Sequence, residues 1–185
     1  MVLRRAVHVL VAIAPAYFLV PETIPGIELR RWVLLVVFFA GVALFESIRL
    51  WKGITFLGLR PHEKKAIASF AWAAAGITLA LWIFPEEIAT AVLIGMALVD
   101  PLSGELRGRG YDSLTAHGTS TVVYFAICAT SLFVWDVPVL HVLLLSILGS
   151  VVAVASESKK VPYVDDDFLM IVVPGALMSA LSLVL

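Results

Sequence analysis

Asp100 closes an apolar run and is followed by Pro-Leu-Ser103-Gly104-Glu-Leu-Arg107-Gly108-Arg109-Gly110. A carboxylate can hold a divalent metal there. Arginines, together with backbone that approaches closely at glycines, suit phosphate oxygens. Beyond this stretch, His117-Gly118-Thr119-Ser120 opens another apolar run. Hydroxyls and free N–H groups at a helix start bind phosphate, although the same residues also serve as plain N-caps. A third constellation is Glu157-Ser-Lys159-Lys160-Val-Pro-Tyr-Val-Asp165-Asp166-Asp167. One aspartate is enough to cap the next helix. Three adjacent carboxylates repel each other unless a cation compensates, and Mg²⁺, alone or carried by a nucleotide, fits that need; a solvated acidic turn is the plainer alternative.

Two further groups share the chemistry. Arg4, Arg5 and His8 fall on one face at the start of the first apolar run, where arginines are topology signals and a histidine is also a packing residue. Glu46 and Arg49, three residues apart at the end of the second run, form either a self-neutralising ion pair or part of a site. In Arg60-Pro-His-Glu-Lys64-Lys65, Pro61 fits the first turn of a third helix, and Lys64 and Lys65 suit anions such as lipid headgroups or a nucleotide.

The elements that must position these residues are mostly hydrocarbon. The 185 residues are 61% hydrophobic, and the mean hydropathy of +1.02 marks an integral membrane protein. Seven apolar runs cover residues 7–20, 31–50, 66–84, 88–99, 118–135, 137–155 and 168–185. A bilayer core about 30 Å thick needs about 20 helical residues, which the second, third, fifth, sixth and seventh runs supply. The first reaches that length by extending back through Arg4 and Arg5, whose side chains snorkel. The fourth run is short. Either its helix continues through Asp100, or Asp100 sits inside the headgroup plane, or the segment is re-entrant; an ionisable group at that depth points to function. The short run 14–16 after Arg4-Arg5 resembles a signal-peptide cleavage site, but the later spans favour an uncleaved first helix.

With the N-terminus in the cytoplasm and seven spans, Arg4, Arg5, Arg49, Lys52, Arg60, Lys64, Lys65, Arg107, Arg109, Lys159 and Lys160 lie inside, and only Arg30 and Arg31 lie outside. The polar loops 51–65, 100–117 and 156–167 then share the cytoplasmic face. Glu86 and Glu87, on the far side, cap the fourth helix at its positive end. The expected fold is therefore an all-α integral membrane protein of about seven transmembrane helices, one polytopic domain over residues 1–185. Cys128 is the single cysteine, which excludes an internal disulfide. Asn and Gln are both absent, a depletion expected of a thermophilic, archaeal-type source. No Walker loop, nucleophile elbow or His-Glu-x-x-His pair is present, the four histidines are scattered, and no basic or aromatic stripe suits nucleic acid.

In this order, the motifs resemble those of the CTP-dependent polyprenol kinases (dolichol and phytol kinases), which are related to the phosphatidate cytidylyltransferases. Arg4-Arg5-x-x-His8 is similar to that family's Arg-Lys-x-x-His start, and Glu46-x-x-Arg49 to its Glu/Arg pair. Asp100-Pro-Leu-Ser103 looks like its Asp-x-x-Ala/Ser opening of a nucleotide loop. His117-Gly118-Thr119 lies where the family has Glu-Gly-Ser/Thr, and Glu157 with Asp165-Asp166-Asp167 where it has Glu and then Asp-Asp-Asn. The family's lysine before Glu-Gly-Ser is absent, and Arg107, Arg109 or Lys159-Lys160 would replace its charge.

The resemblance implies a Mg²⁺-dependent membrane enzyme that transfers the γ-phosphate of CTP to a lipid alcohol of the polyprenol kind. Asp100, Asp165 and Asp166 would hold Mg²⁺ and the triphosphate. Ser103, Gly104, Arg107, Arg109, Gly118, Thr119, Lys159 and Lys160 would bind the nucleotide. Asp100, Glu157 or His117 would orient or deprotonate the alcohol. His8, Glu46, Arg49, Lys64 and Asp167 complete the candidate set. A cytidylyltransferase would use the same loops on the α-phosphate. A transporter would need ionisable groups near the bilayer midplane, which these helices lack. The expected location is the plasma membrane, or in a eukaryote the endoplasmic reticulum, with lipids as neighbours, no nucleic acid, and a homodimer as one possible assembly.

Overall fold

The computed structural model describes residues 2–56, 58–158 and 161–185, with side chains from residue 7 onward in the first helix. Arg4, Arg5, Lys159 and Lys160, as side chains, lie outside the described residues. The chain is 77% helical, consistent with an all-α membrane protein. The helices are α1 (Val2–Ile13), α2 (Trp32–Lys52), α3 (Ser69–Ile83), α4 (Glu86–Gly108), α5 (Ser113–Val134), α6 (Val139–Ser158) and α7 (Asp166–Ser182). Among the described residues, α2, α4, α5 and α6 are long and apolar enough to cross a membrane.

Four of the seven expected spans therefore have the required length, whereas α1, α3 and α7, with 12, 15 and 17 residues, are shorter. The first run is not one α-helix. Pro15 lies at the start of a 3-10 turn, Ala14–Leu19, because a prolyl residue has no N–H to continue the α-helical ladder. A two-stranded antiparallel ribbon, β1 (Thr23–Ile24) against β2 (Leu29–Arg30), then leads into α2. The third run is shorter than expected: α3 has 15 residues, and residues 61–64 form a separate 3-10 turn rather than its first turn.

The fourth run departs most. α4 has 23 residues and continues through Asp100 and Pro101, so the stretch expected as a glycine-containing loop is helical to Gly108. Pro101 gives no N–H to the carbonyl of Ala97 one turn back, yet the helix continues beyond it to Gly108. α4 packs on α1, α5 and α7 and is the most buried of the four long helices, whereas α2 is the least. The helix stops where Gly110, at φ +86°, allows a left-handed residue: Tyr111 N–H reaches the Leu106 carbonyl and Gly110 N–H that of Arg107.

The far end of the bundle is fastened by Arg31. Its guanidinium donates to the carbonyls of Phe18 and Val20 and to Glu86 Oε1 (3.1 Å), and lies 5.2 Å from the Tyr17 ring. Glu86 therefore holds a partner besides lying in the first turn of α4.

The core centres on the face between α4, α5 and α7. Gly95 admits the Tyr124 ring; a Cβ built on it would lie 2.7 Å from two ring atoms. The Tyr124 hydroxyl lies 3.5 Å from the Val92 carbonyl and 3.4 Å from that of Met170, so the ring has little room to retreat. Gly95→Ala should destabilise by about 1–3 kcal/mol, as overpacking does. Gly41→Ala, in the open on α2, should be neutral or slightly stabilising. Thermal unfolding in detergent distinguishes the two.

Candidate functional site

The polar side chains gather at one end of the bundle, where α1, α3, α5 and α7 begin and α2, α4 and α6 end. His8 lies in α1 and Asp100 in α4, two helices that pack together. Both side chains are buried, and His8 Nε2 lies 3.1 Å from Asp100 Oδ2. Neither ring nitrogen makes a hydrogen bond of good geometry among the described residues, so His8 and Asp100 are held in close contact rather than hydrogen-bonded.

Asp100, Ser103 and Arg107 recur at three- and four-residue steps, which places them on one face of α4. That face meets Glu157 near the end of α6. Ser103 Oγ donates to Glu157 Oε1 at 2.7 Å, and Arg107 Nη2 donates to the same oxygen. Glu157 is buried, and its second oxygen, Oε2, has no hydrogen-bond partner among the described residues. Most buried polar atoms are satisfied, and a carboxylate oxygen left without a donor carries a desolvation cost. Ser120 Oγ, buried two turns into α5, is likewise unpartnered among the described residues.

The triple aspartate begins α7. Asp165 is the N-cap, and its Oδ1 accepts the Asp167 N–H at 3.2 Å. Carboxylate oxygens of Asp165, Asp166 and Asp167 lie within 4.8 Å of one another. Arg60 reaches across from the turn before α3, with Nη1 3.2 Å from Asp165 Oδ2 and Nη2 3.9 Å from Asp166 Oδ1. Burial, reinforced by the hydrogen bond and charge of Asp166, pushes the Asp165 carboxyl up to about 7 despite Arg60. Sequence spacing gives no hint of Arg60, since its partner is 105 residues away.

Glu46 and Arg49 form a buried fork, Nε–Oε2 at 2.6 Å and Nη2–Oε1 at 2.7 Å. Arg49 also donates to the carbonyls of Glu63 and Ala66, and Glu46 accepts the Ala68 N–H. Glu63 takes the N–H groups of Arg60 and Ser69. These bonds fold the α2–α3 connection onto the end of α2. The pair thus spends its hydrogen-bonding capacity on structure, and Glu63 is a second buried carboxylate of the same clamp.

Other candidates do not converge. Arg109 pairs with Glu105 on the exposed surface at 3.0 Å. Lys64 is exposed in the 3-10 turn. α5 starts at Ser113, capped by Asp112, so Gly118 and Thr119 sit in its second turn with no helix-start N–H groups to offer. The phosphate site expected there is corrected accordingly. Thr115 supplies both its hydroxyl and its N–H to Asp112, which holds that carboxyl below its usual range. His117 is half-buried, 3.5 Å from Ser113 Oγ. Gly104 and Gly108 lie within α4, where an added Cβ would meet open space.

Comparison with protein-family models, curated proteins and solved structures gives no match.

Two measurements probe this end of the molecule. Arg49→Met leaves Glu46 buried without its fork and should cost about 3–5 kcal/mol in detergent unfolding, with part regained in Glu46→Met/Arg49→Met. For Asp165, the folded chain keeps a proton that the unfolded chain loses near its ordinary value of 3.8. Stability should therefore fall as pH rises from about 4 to about 7, and Asp165→Asn should flatten that slope of the thermal midpoint.

Proposed function

We propose that this protein is a membrane phosphotransferase that moves the γ-phosphate of a nucleotide, CTP by motif resemblance, to a lipid alcohol. In this reading all seven helices span or nearly span the bilayer, the N-terminus is cytoplasmic, and the polar end faces the cytoplasm. The observation that carries it is the meeting, at one end of an otherwise hydrocarbon bundle, of the buried His8–Asp100 contact with Ser103, Arg107 and the buried Glu157. A transporter would place such groups at mid-membrane.

Phosphoryl transfer asks mainly for positioning and charge neutralisation. The acceptor hydroxyl would hydrogen-bond to the His8–Asp100 pair, which takes its proton as the oxygen attacks the γ-phosphorus; the bond from phosphorus to the β-bridging oxygen breaks and CDP leaves. Of Asp100, Glu157 and His117, the groups expected to orient or deprotonate the alcohol, this reading keeps Asp100, joins His8 to it, and leaves out His117, which stands apart on α5. Glu157 orients Arg107 and Ser103 toward phosphate oxygens. Arg107 remains half exposed and supplies positive charge.

Asp165, Asp166 and Asp167 fit a hard divalent cation, since their oxygens already converge and Arg60 now does the neutralising. Mg²⁺ bound there would offset the charge of the triphosphate. Asp100, with Oδ2 against His8, belongs to the base rather than to this cluster.

Purified protein with an isoprenoid alcohol, Mg²⁺ and CTP should place label from the γ-phosphate in the lipid. Label from the α-phosphate would instead make it a cytidylyltransferase, and no label with any alcohol or lipid phosphate would remove both. Asp100→Asn and His8→Ala should each lower kcat by about 10²–10⁴-fold, the range of a positioned acid–base group, with little change in thermal midpoint for Asp100→Asn.

A further inference from the structure

At the end of the bundle opposite the His8–Asp100 contact, a cup of about 250 Å³ opens between the β1–β2 ribbon, the start of α2 and the end of α3. Trp32, the first residue of α2, and Trp82, the last but one of α3, stack in its wall with ring centroids 6.5 Å apart. Both rings stay half exposed. Tryptophans at the ends of apolar helices sit at headgroup level in a bilayer.

Three charged residues line the cup: Glu22, Arg30 and Arg31. Arg31 is already spent on Glu86 and on two carbonyls. Arg30 and Glu22 are not. Among the described residues neither side chain makes an ion pair or hydrogen bond, with the other or with any third group. A guanidinium and a carboxylate left open in one aromatic-walled cup complement a molecule that carries both an anion and a cation.

Tyr17 and Leu81 line this cup and also an apolar cleft of about 670 Å³ between α1, α2 and α3. No charged side chain lines the cleft itself. From Leu34 to Phe45 on α2 it runs about 16 Å at 1.5 Å per residue. That is close to the depth of one leaflet, about half of a hydrocarbon core about 30 Å thick. Its other end lies at Phe45, Phe56 and Phe70, whose ring centroids are 5.9–6.3 Å apart. The cleft thus meets charge at the cup.

We propose that cup and cleft together bind a zwitterionic phospholipid, with its phosphate on Arg30, its ammonium on Glu22 and one hydrocarbon chain along the cleft. A purely anionic lipid would set its phosphate against Glu22 with no cation to offset it. A soluble zwitterion would leave the cleft unfilled. The site is remote from the phosphotransferase centre and independent of that reading.

The test follows the thermal midpoint of the full chain in detergent as lipid is added, since a ligand of the folded state raises it. Phosphatidylethanolamine should act at about tenfold lower concentration than phosphatidylglycerol, which has the phosphate but no amine. Glu22→Gln should erase that preference, and Arg30→Ala should weaken both lipids about tenfold. Both residues are exposed, so these variants should keep the lipid-free midpoint of the wild type. Glycerophosphoethanolamine, the same head without chains, should leave the midpoint unchanged. Leu34→Trp and Ile77→Trp, on different walls of the cleft, should each weaken phosphatidylethanolamine about tenfold. A photoreactive group at the end of a phosphatidylethanolamine chain should label the protein around Phe45 and Phe70, a readout that needs no variant to fold. Equal response to the two lipids in the wild type, or a preference that survives Glu22→Gln, would overturn the proposal at its head. An equal shift by glycerophosphoethanolamine, unchanged affinity in both tryptophan variants, or labelling confined to other helices would overturn it at its tail.

Discussion

Glu46 and Arg49 cannot leave each other. In a molecule that is mostly hydrocarbon, a buried carboxylate needs a cation and donors within reach, and a buried guanidinium needs acceptors for its fixed fork of N–H groups. Here the fork closes on Glu46 and then recruits the carbonyls of Glu63 and Ala66. The same constraint recurs around the polar end: Glu157 draws α4 to α6 through Ser103 and Arg107, Asp100 draws α4 to α1 through His8, and Asp165 draws α7 to the α2–α3 connection through Arg60. Helix order at that end is thus written in ion pairs, whereas the middle of the bundle is held by shape, as where Tyr124 fills the space left at Gly95.

This division explains what could be read from the chain in advance. The apolar runs were legible because hydrocarbon length is a one-dimensional property. The Asp100–Gly110 stretch reads as a loop because Pro101 and its glycines are breakers in an isolated helix, and nothing local reveals that the apolar part of α4 packs on α1, α5 and α7 and carries the helix on to Gly108. The start of α5 was placed too late because Gly118 and Thr119 look like a helix start, although Asp112, with its bonds to Thr115, fills that role.

The site was legible in part. His8, Asp100, Ser103, Arg107, Glu157 and the aspartates stand out by type against an apolar background, and the structure brings them to one end of the bundle. Arg60 stands out in sequence only as a cytoplasmic cation, because its partners Asp165 and Asp166 are remote, and Ser120 only as part of an expected helix start, whereas it lies buried well inside α5. Glu46 and Arg49, by contrast, were visible for a reason unconnected with binding: their spacing makes a fork, and the fork is structural.

One mechanical consequence lies in α2. Arg31 fixes its start to Glu86 and to two carbonyls of the 3-10 turn, and the Glu46–Arg49 fork fixes its end. Between those anchors lie 15 residue steps, about 22 Å of helix with the barest flanks of the long helices. Such a helix is held by ionic bonds at both ends and by apolar contacts with α3 between them. It can bow sideways by giving up dispersion contacts alone, each about 0.1–0.2 kcal/mol, without disturbing any ionic bond. The middle of α2 thus depends on dispersion alone, whereas its two ends are tied by charge.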